Sequence, residues 1–370
     1  MGGTKGNDGA SEYRTNKFFI VCTSLALMVV LLVRLNADPS EMGMGGLRRA
    51  SGSGGVLTPP PAARVLVTGA AGFVGHHTVM RLKKQVSYVV GVDSFNDYYD
   101  VRLKRARANI SGVVLERNVC DLGNLIMEKK ITHVIHLAAQ AGVRYSLEHP
   151  EKYVESNVRC FVALLEKLKR TGIPLVYASS SSVYGDNTKV PFSEDDPVTK
   201  PVSLYAATKR ENELLARVYW KLYQQQSIGL RFFTVYGPMG RPDMAYYSFT
   251  KNIMEGKPIK VFNHGKLSRD FTYIDDIVDG VVGCLAVHGH SFEILNLGRG
   301  EPQELMTFIR TIESALGKDA KLEFVDMAKG DVLTTYADVT KARTLIGYNP
   351  KVSLKEGIAR FANWYKSYYL

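Results

Sequence analysis

The hydrophobic pattern changes character along the chain, and each change predicts an element. Val65-Leu66-Val67, within Arg64–Thr68, is a short run without polar alternation, the pattern of a strand buried on both faces. It opens into Gly69-Ala70-Ala71-Gly72-Phe73-Val74-Gly75, after which a helical pattern runs to about Lys84. Further strand-like runs stand at Tyr88–Val92, Val113–Glu116, Thr132–Leu137, Leu175–Ser179 and Ile228–Thr234, separated by helical stretches. Strands alternating with helices imply right-handed crossovers and a doubly wound parallel sheet. The prediction is an α/β fold with a nucleotide-binding domain over 64–240. Residues 241–370 form mainly a smaller C-terminal lobe for the substrate, with some strands returning to the sheet.

The N-terminal pattern is different. Phe18 to Val33 is sixteen residues without a charge, bounded by Lys17 and Arg34. This lies near the lower length limit of a spanning helix and slightly above that of a signal-peptide core. With Arg14 and Lys17 before it and no clear cleavage site after it, it predicts an uncleaved transmembrane signal anchor over 18–35. Residues 1–17 are then a cytoplasmic tail, and the folded domain faces a secretory lumen. A cleaved signal peptide is the alternative reading. Residues 36–63, rich in Gly, Ser and Pro, read as a flexible stem.

The chain has 370 residues, 45% of them hydrophobic and 22% charged, enough for a substantial core. Its formal charge is +11, of which +2 lies before residue 64. A positive field suits anionic ligands such as a dinucleotide and a nucleotide sugar. The basic residues are scattered, with no stripe interleaved with aromatics, which argues against nucleic acid. Cys22, Cys120, Cys160 and Cys284 show neither metal-ligand spacing nor close pairing, so no metal is expected and all four are read as small buried hydrophobes.

The glycine triplet has a strand before it and a helix after it, as a Rossmann-type dinucleotide site requires. Gly69 permits the tight turn, Gly72 lets the backbone approach a pyrophosphate, and Gly75 lets helix pack on strand. Ala71, Phe73 and Val74 complete that loop, whose helix N-terminus offers unpaired N–H groups to phosphate. Asp93 ends the second strand 24 residues after Gly69, positioned to bind ribose hydroxyls and repel a 2′-phosphate, which favours NAD over NADP. Asp121 and Leu122 follow the third strand, where a carboxylate can meet the adenine amino group. Leu137 ends the fourth and Ala138, Ala139 and Gln140 follow it, where small residues let a cofactor lie on the backbone.

The fifth strand runs into Ser179-Ser180-Ser181-Ser182-Val183-Tyr184-Gly185, placing hydroxyls at the carboxyl edge of the sheet. Tyr205 and Lys209, four apart on a predicted helix, share a face. A nearby ammonium and a nicotinamide's positive charge lower a phenol's pKa, which makes Tyr205 a general base. His76 and His77 read as packing residues, and the Trp364/Tyr365/Tyr368/Tyr369 group as an amphipathic terminal helix.

From Arg64 to the C-terminus these residues resemble the extended short-chain dehydrogenase/reductase family. The resemblance implies that Tyr205 is the catalytic base, that Lys209 is its partner and holds the nicotinamide ribose, and that Ser180 bonds the reacting hydroxyl. Several stretches are similar in particular to UDP-glucuronate 4-epimerases: Asp93–Asp100, Ala139–Tyr145, Arg231–Pro238, Gly240–Ala245 and Arg269–Asp276. That likeness implies an isomerase with tightly held NAD, Asn96 among the cofactor contacts, Arg144 among the substrate contacts, and a homodimer through helices near Asn96–Arg107 and Tyr205–Tyr219. Plant enzymes of this type carry an N-terminal anchor, which with the apolar run implies a single-pass type II protein of the Golgi membrane.

A sugar oxidised at C4 with a C5 carboxylate is a β-keto acid, so an epimerase must pin that carboxylate. Ser181, Ser182, Thr234 and Arg241 are the expected clamp, arginine supplying bidentate geometry. Family members that dehydrate or decarboxylate carry an acid after the catalytic hydroxyl, where this chain has Ser181 and Ser182. Arg269 is expected on the diphosphate and Asp331 on a ribose. UDP-glucuronate decarboxylase, UDP-glucose 4-epimerase and a non-catalytic NAD-sensing protein remain as alternatives.

Overall fold

The computed structural model describes residues 2, 55–289, 291–327 and 332–370. The predicted anchor and most of the stem lie outside the described residues, as does Asp331. No helix among the described residues is long and apolar enough to cross a membrane. The described chain from residue 55 onward belongs to one compact unit, Arg48–Leu370.

A seven-stranded sheet organises that unit. Its strands are β1 (Arg64–Thr68), β2 (Tyr88–Asp93), β3 (Val114–Glu116), β4 (His133–His136), β5 (Leu175–Ser180) and β6 (Ser227–Phe232). The seventh, Phe292–Leu297, returns from the C-terminal part to lie beside β6. In space the order is 292–297, β6, β5, β4, β1, β2, β3, every neighbouring pair parallel. The winding reverses between β1 and β4, and ligands of open α/β sheets bind in the crevice above that point.

The apolar runs are buried on both faces because side chains alternate. Val65 and Val67 join one core cluster and Leu66 the other, all three fully buried. Helix α1 (Phe73–Leu82) packs on the first face and α2 (Val101–Ser111) follows β2. Helix α3 (Cys160–Leu168) buries Phe161, Leu164, Leu165 and Leu168 in the second cluster, the spacing of a core-facing stripe. Helix α4 (Leu204–Tyr223) starts at Ser203, whose hydroxyl accepts from Ala206 N at 3.1 Å, and ends at Gln224 with φ +55°.

The run expected as one strand over Ile228–Thr234 breaks at Phe233. Its N–H donates to Leu297 O at 3.0 Å, and the chain turns into β7 (Thr234–Tyr236), which pairs with β9 (Ser268–Tyr273) rather than the main sheet. Between them lie α5 (Ala245–Met254) and β8 (Pro258–Phe262). After α6 (Ile274–Gly283) come β10, the returning strand Phe292–Leu297, and α7 (Leu305–Leu316). The chain ends in α8 (Leu354–Tyr369), with Phe361, Ala362 and Tyr365 in the core, as its amphipathic pattern predicts.

The expectation that all four cysteines are unpaired fails for two of them. Cys120 and Cys160 form a disulfide, with Cα atoms 4.4 Å apart across 40 residues of sequence. The one-turn helix Val119–Asp121 packs on the start of α3, a proximity set by the crossover and invisible in local spacing. Cys284 is free and buried, as expected, while Cys22 lies outside the described residues.

Candidate active site

A cavity of about 1140 Å³ opens along the carboxyl edge of β1, β4 and β5, above the reversal in strand order. It exceeds the roughly 300–1,000 Å³ typical of a single-ligand site.

Its floor is the glycine turn. Gly69 has φ +69°, and a Cβ there would lie 2.6 Å from Ala138 N; at Gly75 a Cβ would lie 2.0 Å from Gly69 O. Neither position accepts a side chain without moving backbone, so β1, α1 and the chain after β4 are locked together. Gly69, Gly72, Phe73, Val74 and Gly75 line the cavity, and α1 directs its N-terminus at it. Ala71 contributes its N–H, which donates to Asp93 Oδ2 at 3.0 Å, while Phe95 N donates to Asp93 Oδ1 at 2.9 Å. Asp93 is thereby fixed at the end of β2, each oxygen keeping a lone pair for a ribose hydroxyl. These are the features an extended dinucleotide needs, and the residues fit NAD.

Along the same wall stand Asn96, Leu137, Ala138 and Ala139. Gln140 is buried behind them, its N–H donating to Asn157 Oδ1 at 2.8 Å. Asp121 and Leu122 are not brought to the cavity: Leu122 is fully buried in the core and Asp121 faces outward. Asn118 and Val119 line it instead; Asn118 Oδ1 accepts from Cys120 N at 2.9 Å and caps the one-turn helix Val119–Asp121. Lys104, on α2, also lines the cavity, with Nζ 2.8 Å from Asn96 O. No sequence signal marked it.

Ser180, Tyr205 and Lys209 converge where β5 and α4 meet. Ser180 is the last residue of β5 and caps the turn Ser181–Tyr184, its Oγ accepting from Ser182 N at 3.1 Å. Its hydroxyl donates to Ser182 Oγ at 3.1 Å and lies near enough to the Tyr205 phenol to lower its pKa. Lys209, one turn further along α4, donates from Nζ to Ala178 O at 2.8 Å. Burial lowers its pKa to about 8.

The expected depression of the Tyr205 pKa is not found. Burial raises it above 10, outweighing the nearby Ser180 hydroxyl and the Arg241 charge, which act to lower it. Burial therefore keeps the phenol neutral in the protein alone.

Ser181, Ser182, Thr234 and Arg241 also line the cavity. Arg241 is paired with Asp243 through Nε–Oδ1 at 3.0 Å and Nη2–Oδ2 at 2.5 Å, and Tyr98 Oη donates to Asp243 Oδ2 at 3.0 Å. Burial raises the Tyr98 phenol to about 12. Asp243 stays below its usual range, burial being outweighed by the Arg241 charge. Tyr98 and Asp243 fall inside the stretches Asp93–Asp100 and Gly240–Ala245, yet nothing in those stretches told that they bond each other. Arg144 is exposed on the cavity rim, its guanidinium 5.0 Å from the Phe262 ring centre. Arg269 is not on the wall; it donates to the carbonyls of Ser268 and Leu333. His76 and His77 pack, bonding the carbonyls of Arg107 and Pro238.

Residues 65–298 match the model of the NAD dependent epimerase/dehydratase family. The chain belongs to that family. UDP-glucuronate 4-epimerase 1 of Arabidopsis thaliana is 48% identical over 330 residues, covering 82% of this chain and 77% of that protein. Protein CapI of Staphylococcus aureus is 45% identical over 332 residues, covering 83% and 99%. Among solved structures, UDP-glucuronic acid 4-epimerase from Bacillus cereus, in complex with UDP-glucuronic acid and NAD, superposes with a TM-score of 0.78 at 36% identity. That match covers 83% of this chain and all of the other. The Rossmann-type parallel sheet expected from the sequence is therefore shared with these epimerases.

Proposed function

We propose that this chain interconverts UDP-glucuronate and UDP-galacturonate by inverting C4. The observation that carries the reading is the convergence of Ser180, Tyr205 and the Arg241 guanidinium in one cavity, with Ser181 and Ser182 where an acid would stand in an enzyme that eliminates. The relatives' substrates support the choice of a uronate.

The glycine turn, Asp93, Asn96 and Lys209 would hold NAD. Bound NAD supplies reversible hydride acceptance at C4 and, when oxidised, a positive charge beside the phenol. Tyr205 takes the proton of the C4 hydroxyl, and Ser180 orients that hydroxyl. The 4-keto sugar so formed is a β-keto acid, which loses CO2 when its carboxylate aligns with the carbonyl π system. Arg241 and the hydroxyls of Ser181, Ser182 and Thr234 hold the carboxylate out of that alignment. The sugar turns over within the cavity, so that the hydride bound NAD would give back reaches the opposite face of C4, and Tyr205 returns the proton to the C4 oxygen. Arg144 is assigned to the substrate at the rim. Arg269 and Asp331 are assigned to the diphosphate and ribose, which requires Arg269 to leave its two carbonyl partners.

Incubating the purified protein with UDP-glucuronate and separating the nucleotide sugars tests the reading. UDP-galacturonate is expected. UDP-xylose as the main product would replace the proposal with decarboxylation.

The apolar run Phe18–Val33 supports anchoring in the Golgi membrane with the catalytic unit lumenal. A homodimer is supported by Leu214, Val218 and Leu222, exposed at four-residue spacing on α4.

A further inference from the structure

Directly behind the catalytic wall lies a buried ionic cluster that the reaction as described does not use. Glu213 follows Lys209 by one helical turn, as Lys209 follows Tyr205, so the three share a face of α4. The Glu213 side chain is fully buried and that of Arg231, on β6, is 2% exposed. Glu213 Oε1 accepts from Arg231 Nε at 2.8 Å and from Ser179 Oγ at 2.7 Å. Its Oε2 accepts from Arg231 Nη2 at 2.9 Å and Arg210 Nη1 at 3.0 Å.

The consequence is a two-rung connection between β5 and α4. Ala178 is held through its carbonyl by Lys209 and Ser179 through its hydroxyl by Glu213, and the next residue, Ser180, lies beside the Tyr205 phenol. Ser179 and Arg231 face each other across the β5–β6 ladder, so the cluster also fixes the strand laterally. The Arg231 guanidinium lies 4.8 Å from the ring centre of Tyr184, the residue closing the turn after Ser180.

A buried ion pair adds little stability, since apolar packing of similar volume often does as well. A hydrogen bond from such a pair to the residue before a catalytic hydroxyl has a directional effect that apolar packing lacks. We propose that Ser179 and Glu213 are positioning residues: their hydrogen bond sets where the Ser180 hydroxyl stands relative to the Tyr205 phenol. This role rests on the proposed roles of Ser180 and Tyr205 and acts through them.

The test is Ser179→Ala in the full-length protein. Misplacing a reacting group by about 1 Å can slow a reaction up to about a hundredfold, so kcat with UDP-glucuronate is expected to fall at least about tenfold. KM, calorimetric affinity for UDP-glucuronate and melting temperature stay near wild type, and Ser179→Thr, which keeps the hydroxyl, restores kcat. Unchanged kcat in Ser179→Ala overturns the assignment, as does a loss matched by equal loss of affinity or not restored by threonine. Should the alanine variant not fold, Ser179→Cys, with a thiol that donates weakly, is judged by the same criteria. A wild-type protein that makes no UDP-galacturonate sinks the proposed function; an active wild type with an indifferent Ser179→Ala sinks only this inference.

Discussion

Tyr205 and Lys209 make opposite adjustments to the same burial. The phenol is pushed up and stays neutral, while the ammonium is pushed down to about 8. A lysine whose folded pKa lies below its unfolded value near 10.5 destabilises the fold while charged, and that penalty fades as pH rises from about 8 to 10.5. Relative to a Lys209→Met variant, the unfolding free energy of the cofactor-free protein should therefore climb over this window by on the order of 3 kcal/mol. Urea titrations at pH 7.5, 9 and 10.5 measure it, and a flat difference would show the ammonium to be better solvated than its surroundings imply. Tyr205→Phe should lower kcat by about 10²–10⁴-fold without loss of UDP-glucuronate binding, a range set by general-base contributions. Retention of most of the activity would remove the phenol from the base role. Arg241→Ala deletes a charged donor worth roughly 1.5–3 kcal/mol, so KM for UDP-glucuronate should rise at least about tenfold. UDP-glucose turnover, if present, should change little; an equal effect on both sugars would show that Arg241 does not read the carboxylate.

At the scale of elements, what the sequence disclosed depends on how local each cause is. The β1–α1 turn was legible because Gly69, Gly72 and Gly75 act within a single strand–turn–helix unit. Tyr205 and Lys209 were legible because helical periodicity places them on one face. Asp121 and Leu122 do follow the third strand, but they lie off the cavity that Asn118 and Val119 line, and nothing in Asn118-Val119-Cys120-Asp121 alone says whether a strand ends in a cap or a loop. The Cys120–Cys160 bridge and the Ser179–Glu213–Arg231 cluster were hidden because each joins elements that only the crossovers bring together. The disulfide closes a 40-residue separation, for which loop-closure entropy gives about 2–4 kcal/mol. Cys120→Ser, or a dithiol reductant, should lower the calorimetric melting temperature accordingly. An unmoved transition would mean that the bridge does not restrain the unfolded chain.

For the molecule as a whole, the apolar stripe on α4 bears on assembly. Leu214, Val218 and Leu222 are each about half exposed or more, and a second chain covering them would bury a row of aliphatic side chains. Light scattering on the purified protein should report a dimer, and Val218→Lys should shift it toward monomer; a wild-type monomer at micromolar concentration would leave the stripe without that partner. The returning strand Phe292–Leu297 has an architectural effect of its own. Because the last strand of the seven-stranded sheet comes from beyond the segment carrying β7, β8 and β9, neither portion is a detachable cassette. A chimera meant to import another relative's sugar preference must splice at two junctions, flanking the insert and sparing that strand. A single cut near residue 240 would strip β6 of its outer neighbour and leave the scaffold with an open edge.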